Sequence, residues 1–519
     1  IKGHTPLTCS SLFAAESKNK NGEPILSMYE YERKRRVVYG VNAFLERDKL
    51  YIRSTVENLS ERTPYMYWWS NIAVPETAGT RTIVPAKETF YCSYEDGSYV
   101  LDATALPNLE GKDITYAVNS PRSRDFFFKI PKEEEKWIAA VGEDGYGLLQ
   151  FSDEALTGRK MFVWGQQNGG RHWNKWLSDR GDAYIEIQAG ILKTQLEHFP
   201  MKARSEISFT EGYCAVRADA EKIHDKNYFV AQAEISKAAT NKIKRLKEDF
   251  FDIEREDKIE YYGSGFGALE NALRKTPISR RCVFPKESLG EEQREWLDLL
   301  GGKGLPDKDV GDCAKSYVVG KKWIDAINKT LSGNWYEYMH LGILYYAEKD
   351  YRKAAKYFKK SVETKENCWA YRNLAQIKGN IYGDFVGAYE DMLRAFNLNS
   401  EYSSLVTEVA YTCMRVRKYD KWIDLYRLLN EELRASGRIK MLTGACYAKI
   451  GDTDNALRFI NENLIVDDIK EGEYSLSAIW TDIYRRVIAK EKSVDFNAVS
   501  DAEVMEKYPL PFGLDYRMH

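Results

Sequence analysis

Four small residues at nearly equal intervals constrain this chain more than any other feature. Gly342, Ala375, Ala410 and Gly444 stand 33, 35 and 34 residues apart. Each sits in a window with a matching set of larger residues. Leu341, Tyr345, Ala354 and Phe358 surround Gly342, with Tyr338 just upstream; Leu374, Ala388, Met392 and Ala395 surround Ala375, with one residue inserted. Val409, Trp422 and Tyr426 accompany Ala410, and Tyr447, Ala456 and Ile460 accompany Gly444. Small residues recur where two helices approach closely, and the aromatics fill the groove to the next pair. A single helix pair cannot bury its apolar face alone, so such units must stack.

The arrangement L-G-x-x-Y…A-x-x-x-F is that of tetratricopeptide repeats. It predicts an α-helical solenoid over residues 331–490, followed by a C-terminal tail over 491–519. A stack of this kind presents a concave face that can hold a peptide, another subunit or the chain's own remaining half, so its bearing is on partners and self-association rather than on chemistry.

Residues 1–230 read differently. Segments such as 48–58, 64–74, 159–165 and 183–191 are rich in β-branched and aromatic residues and are separated by turn signals at Asp96-Gly97, Gly142–Gly147 and Gly169-Gly170. Many strands with few helical patterns predict a large antiparallel sandwich. From Ala231 the period becomes helical, with Ile235, Ala239, Ile243, Leu246 and Phe250 on one face, which makes 231–330 a helical connector. The fold class is therefore α+β multidomain, a β sandwich followed by a solenoid.

The most informative strand is YIEIQAG at 184–190. Side chains alternate faces along a strand, so Ile185, Ile187 and Ala189 point to a core while Tyr184, Glu186 and Gln188 line the other face. An aromatic, a carboxylate and an amide in a row suit a hydroxyl-rich ligand. If the chain turns back near Gly190–Lys193, Glu186 falls opposite Glu197 with Cβ atoms about 5 Å apart. Paired carboxylates are what acid/base work at an acetal carbon requires, about 5 Å apart for retention and about 6.5–9.5 Å for inversion. Upstream, residues 164–176 gather Trp164, Arg171, His172 and Trp173 around a Gly-Gly turn, and Trp68-Trp69 followed by Asn71 repeats the vocabulary. Aromatic faces stack on sugar rings while Arg171, Gln188 and Gln195 donate to hydroxyls. Glu206 and Glu211 read as solvated strand residues.

With Lys and Arg at 76 and Asp and Glu at 78, the formal net charge is -2, and no general electrostatic drive toward nucleic acid or anionic membrane results. No apolar run approaches the roughly 18 residues of a membrane span. The eight cysteines contain no C-x-x-C pair and read as buried thiols; nothing has metal-ligand spacing, so no metal or other cofactor is expected. Unpaired cysteines and the lack of a signal-like start give a cytoplasmic expectation.

KGHTP (2–6), YWWSNIAV (67–74), MFVWG (161–165), HWNKWL (172–177), YIEIQAG (184–190) and TQLEHFP (194–200) together resemble a bacterial family of tetratricopeptide-repeat proteins. The tail segments GEYSLSAIW (472–480) and YPLPFGLDYRM (508–518) resemble its end. In that family the β domain is a domain of unknown function grouped with galactose-mutarotase-like super-sandwiches. The resemblance implies an antiparallel β super-sandwich with further strands ahead of Ile1. Aldose epimerases of the superfamily use a Glu base in a segment of the type L-E-x-Q-x-F-P, which LEHFP (196–200) is similar to, making Glu197 the counterpart. Their Asn-His pair is represented only by Asn71, with no following His. The expectation is thus a carbohydrate-active protein, first a glycoside hydrolase using Glu186, Glu197 and His172, with Trp68, Trp164, Trp173 and Tyr184 stacking on rings and Asn71, Arg171, Gln188 and Gln195 binding hydroxyls. The alternatives are a non-catalytic sugar- or protein-binding scaffold and an aldose epimerase.

Overall fold

The structure, a computed structural model, describes residues 6–95, 98–243, 253–312, 314, 316–473 and 475–518. It divides into two compact units, one running to Leu289 and the other from Gly290 to Arg517.

The first unit is built on fifteen strands in two antiparallel sheets. In chain order they are β1 (Phe13–Asn19), β2 (Pro24–Glu32), β3 (Val37–Glu46), β4 (Lys49–Asn58), β5 (Trp69–Pro75), β6 (Arg81–Ile83), β7 (Glu88–Glu95) and β8 (Ser98–Ala105). They continue with β9 (Arg124–Phe128), β10 (Trp137–Val141), β11 (Tyr146–Ser152), β12 (Gly158–Val163), β13 (Tyr184–Gly190), β14 (Glu206–Arg217) and β15 (Ile253–Tyr261). One sheet has nine strands in the order β15-β1-β2-β3-β4-β14-β11-β10-β6, and the other has six in the order β5-β13-β12-β9-β7-β8. Alternation dictates the sandwich. Ile185, Ile187, Met161, Val163 and Phe126 from the six-stranded sheet face Ile138 of the nine-stranded one, while Leu149, Phe151 and Val216 on the opposite face of that sheet share the buried core with Ala231, Ile235 and Ala239 of a covering helix.

The helical period read over 231–257 holds only in part. A helix covers Tyr228–Lys242, capped by the Asn227 side chain accepting from the Phe229 N–H, while Leu246 and Phe250 fall outside the described residues. Residues Ile253–Tyr261 are a strand paired with β1, Ala14 facing Tyr261 and Asn19 facing Ile253. Six of its nine residues are charged, a composition suited to the edge of a sheet, where charge discourages pairing with another chain. The first compact unit runs on through this strand to Leu289.

In the second unit a helix at Glu291–Leu300 (α1) precedes the repeats. Helix pairs Trp335–Ala347 with Tyr351–Thr364 (α2, α3), Cys368–Gln376 with Phe385–Leu398 (α4, α5), Ser403–Arg415 with Tyr419–Leu428 (α6, α7) and Gly437–Ile450 with Thr453–Phe459 (α8, α9) carry the four copies. A Cβ on Gly342 would lie 2.5 Å from the Phe358 ring, and one on Gly444 would lie 2.7 Å from Ile460, so the small residues stand where helix meets helix. The inserted residue of the second repeat is taken up at Ile377–Ile381, where α4 widens into a π-helical turn.

Candidate functional site

The stripe anticipated on β13 lies on the face of the six-stranded sheet turned away from the core. Register sets its neighbours. Tyr184 faces Pro75 and Glu186 faces Ala73 of β5, and Gln188 faces Asn71. On the other side, Glu186 faces Phe162 and Gln188 faces Lys160 of β12.

These side chains form one hydrogen-bonded relay. Asn71 Nδ2 and Gln188 Nε2 both donate to Glu186 Oε2, at 2.7 and 2.9 Å. Gln195 Nε2 donates to Gln188 Oε1 at 2.8 Å, and Lys160 Nζ donates to Gln195 Oε1 at 2.7 Å. Lys160 closes the relay against Asp125 at 2.6 Å. Asn71 is exposed and Glu186 half-buried, whereas Lys160 is enclosed. Glu186 Oε1 receives no hydrogen bond from the described residues, so the relay fixes the carboxylate while leaving one oxygen available.

Aromatic residues bound the relay. At one end Trp69 lies flat across two glycines: a Cβ on Gly158 would sit 2.7 Å from its ring, and one on Gly190 would overlap it. The glycines of β12 and β13 thus form a floor on which the half-buried indole rests. At the other end Tyr184 meets Trp164 edge-on at 5.9 Å, and Trp164 stacks on Trp173 at 5.9 Å. Tyr67 is near the relay, its ring 5.5 Å from that of exposed His198; burial, and then the Asp125 charge, raises its hydroxyl pKa well above the usual range.

Several expected site residues take other roles. Glu197 is not opposite Glu186, because residues 191–198 form turns rather than a returning strand; its Oε2 accepts from the backbone N–H and hydroxyl of Thr194, at 2.8 and 3.1 Å, closing its own turn. The Gly169-Gly170 pair is not a turn but the start of a helix at Asn168–Leu177. That helix carries Arg171, which is ion-paired with Glu76, together with His172 and Trp173, both buried. Trp164, 2% exposed, is covered as well. Of the tryptophan doublet, alternation from Asn71 sends Trp69 to the relay face and Trp68 into the interior, where it packs on Phe209 and Tyr39.

Glu211, read as solvated, lies between the sheets at 2% exposure. It accepts from Ser70 at 2.5 Å, Gln150 at 3.0 Å and Tyr213 at 3.3 Å, and burial pushes its carboxyl up to about 7. Nearby Arg159 is fully buried and donates to the carbonyls of Lys136, Leu156 and Gly158 and to the Ser152 hydroxyl. The sequence signal for both was available: strand alternation places Glu211 and Arg159 on inward positions.

Residues 1–214 match the family model described as "Domain of unknown function (DUF5107)". Among solved structures, a TPR-domain containing protein from Parabacteroides distasonis matches 95% of this chain and 77% of its own, at 13% identity and a TM-score of 0.64. A galactose mutarotase-like protein from Clostridium acetobutylicum matches 41% of this chain and 69% of its own, at 10% identity and a TM-score of 0.33. The chain therefore joins an antiparallel β-sheet domain, matched by DUF5107 over residues 1–214, to a tetratricopeptide-type solenoid, the fold of the Parabacteroides protein.

Proposed function

We propose that the relay face of the six-stranded sheet binds a carbohydrate. The observation that carries this reading is the hydrogen-bonded series Asn71–Glu186–Gln188–Gln195, drawn from two neighbouring strands and the turn that follows them, between Trp69 and Tyr184. A carboxylate oxygen and amide groups offer both acceptors and donors to hydroxyls, and the flanking aromatic rings offer apolar faces. From Tyr184 to Gly190 the strand rises about 20 Å, the length of several sugar rings, so an oligosaccharide fits the face better than a monosaccharide does.

Titration calorimetry against an oligosaccharide panel tests the reading. The wild-type chain is expected to bind at least one glycan, Glu186→Ala to bind it at least tenfold more weakly (a loss of about 1.4 kcal/mol), and Glu197→Ala to bind it like wild type. A folded wild-type chain that binds nothing across the panel overturns the proposal.

Hydrolysis is the finer form of the same reading, with Glu186 and Glu197 as the acid/base pair. It has less support, since Glu197 is engaged by Thr194 and His172 is buried. Sugar release from aryl glycosides by wild type but not by Glu197→Gln would establish it.

A further inference from the structure

In the second unit, residues 303–312, which form neither helix nor strand, run across the first turns of the leading helices of two successive repeats. Their backbone carbonyls are gripped by side chains at those turns. Asn334, the N-cap of α2, donates from Nδ2 to the Leu305 carbonyl at 3.1 Å. Trp335, the first residue of α2, donates its indole N–H to the Lys308 carbonyl at 2.9 Å. Trp369, in the first turn of α4, donates to the Val310 carbonyl at 3.2 Å.

The stretch also has two side-chain anchors. Leu305 is 4% exposed. The Lys308 ammonium pairs with Glu295 of α1 and lies 4.7 Å from the centre of the Tyr336 ring, while the Tyr336 hydroxyl donates to the other oxygen of Glu295 at 2.8 Å. Pro306, Asp307 and Asp309 between the anchors are exposed.

Backbone carbonyls held by fixed donors, with an aliphatic anchor and a cation three residues later, are the means by which a receptor reads an extended peptide. The donors also recur with the repeat. Trp335 and Trp369 are 34 residues apart, and Tyr402 at the N-cap of α6 follows 33 residues on. The Tyr402 ring stands edge-on to Trp369 at 5.3 Å and is 43% exposed, which extends the aromatic row past the point where the resident stretch leaves it.

We propose that this row is a docking track for a non-helical peptide carrying an aliphatic residue, a lysine three positions on and a β-branched residue two beyond that, and that residues 303–312 are its resident occupant. A partner peptide of this pattern binds by displacing them. The acceptor for its lysine is the pair Glu295 and Tyr336; the donors to its backbone are Asn334, Trp335 and Trp369.

The test uses the full chain and a labelled ten-residue peptide, Lys-Gly-Leu-Pro-Asp-Lys-Asp-Val-Gly-Asp, corresponding to residues 303–312. In one variant those ten residues are replaced by a glycine-serine linker of equal length; in another, Lys308→Glu sets a carboxylate against Glu295 and releases the stretch. Fluorescence anisotropy is expected to show the peptide binding both variants at least tenfold more tightly than wild type. Adding Trp369→Phe to the Lys308→Glu chain removes one N–H donor while keeping an aromatic, if smaller, side chain, and is expected to lower affinity several-fold. The proposal is overturned if the peptide fails to bind the Lys308→Glu chain while its thermal melt remains native-like. It is also overturned if a control peptide with glutamate in place of its lysine binds equally well.

Discussion

Glu186 is held by two amides that converge on one of its oxygens, and this one-sided grip sets how each substitution acts. Glu186→Gln keeps an amide oxygen at the position where Asn71 and Gln188 both donate and puts its NH2 in place of the other oxygen. Stability read from urea midpoints is expected to stay within about 0.5 kcal/mol of wild type, while the acceptor offered to a glycan hydroxyl is lost. Gly190→Ala is the complementary change. The added methyl would overlap the Trp69 ring, so the indole must leave its floor. Glycan affinity by calorimetry is expected to fall at least fivefold while the circular-dichroism spectrum is retained. An unchanged affinity would remove Trp69 from the binding surface.

At the scale of elements, close helix approach in the repeats makes Gly342→Val costly. An alanine there already brings a methyl to 2.5 Å from the Phe358 ring, and the valine adds two more carbons in the same space. Overpacking of this kind costs about 1–3 kcal/mol, more than the few tenths of a kcal/mol (about 0.4) that a helix gains when valine replaces glycine; chemical denaturation measures the balance. The same spacing explains what could be read in advance. A period of 33–35 residues survives variation in individual side chains, so the solenoid was visible from Gly342, Ala375, Ala410 and Gly444 alone. On β13 the period of two placed Tyr184, Glu186 and Gln188 together correctly. Applying it equally to β5 and β12 would have selected Trp69 over Trp68 and added Lys160. The register of Glu197 was not legible, because its position depends on a turn closed by its own hydrogen bonds to Thr194, which no periodicity records. The burial of Trp164, Trp173 and His172 was not legible, because His172 and Trp173 lie on a short helix where the sequence suggested a turn, and a tryptophan in a core looks the same in sequence as one on a surface.

Across the whole molecule, the two units carry buried titratable groups of opposite sign. In the first, burial pushes the carboxyls of Glu211 and Glu30 up to about 7. Their folded forms hold protons that the unfolded chain releases near pH 4.5, so their contribution is fully present below that value and is lost as pH rises toward 7, at roughly 3 kcal/mol for a shift of this size in each. In the second, His340 is buried between Trp296 and Tyr336 and burial lowers its imidazole to about 3. The unfolded chain takes up a proton near pH 6.5 that the folded unit refuses, so this contribution is present above 6.5 and is lost as pH falls. Calorimetry at pH 5 and pH 7 is therefore expected to show the transition of the first unit moving up at the lower pH and that of the second moving down. Glu211→Gln should shrink the first movement and His340→Phe the second.

The widened turn at Ile377–Ile381 has a consequence for how the solenoid accommodates change. One extra residue in a regular helix swings everything after it by about 100°, and a repeat array passes such an error to every later copy. Here the surplus is spent within a single turn, much as a leap day keeps a calendar aligned with the seasons, and the third and fourth pairs resume their phase. Removing one residue from this turn would restore a plain α-helix with the later repeats undisturbed. Removing one from the middle of α2, where there is no surplus, would put the whole row of docking donors out of step.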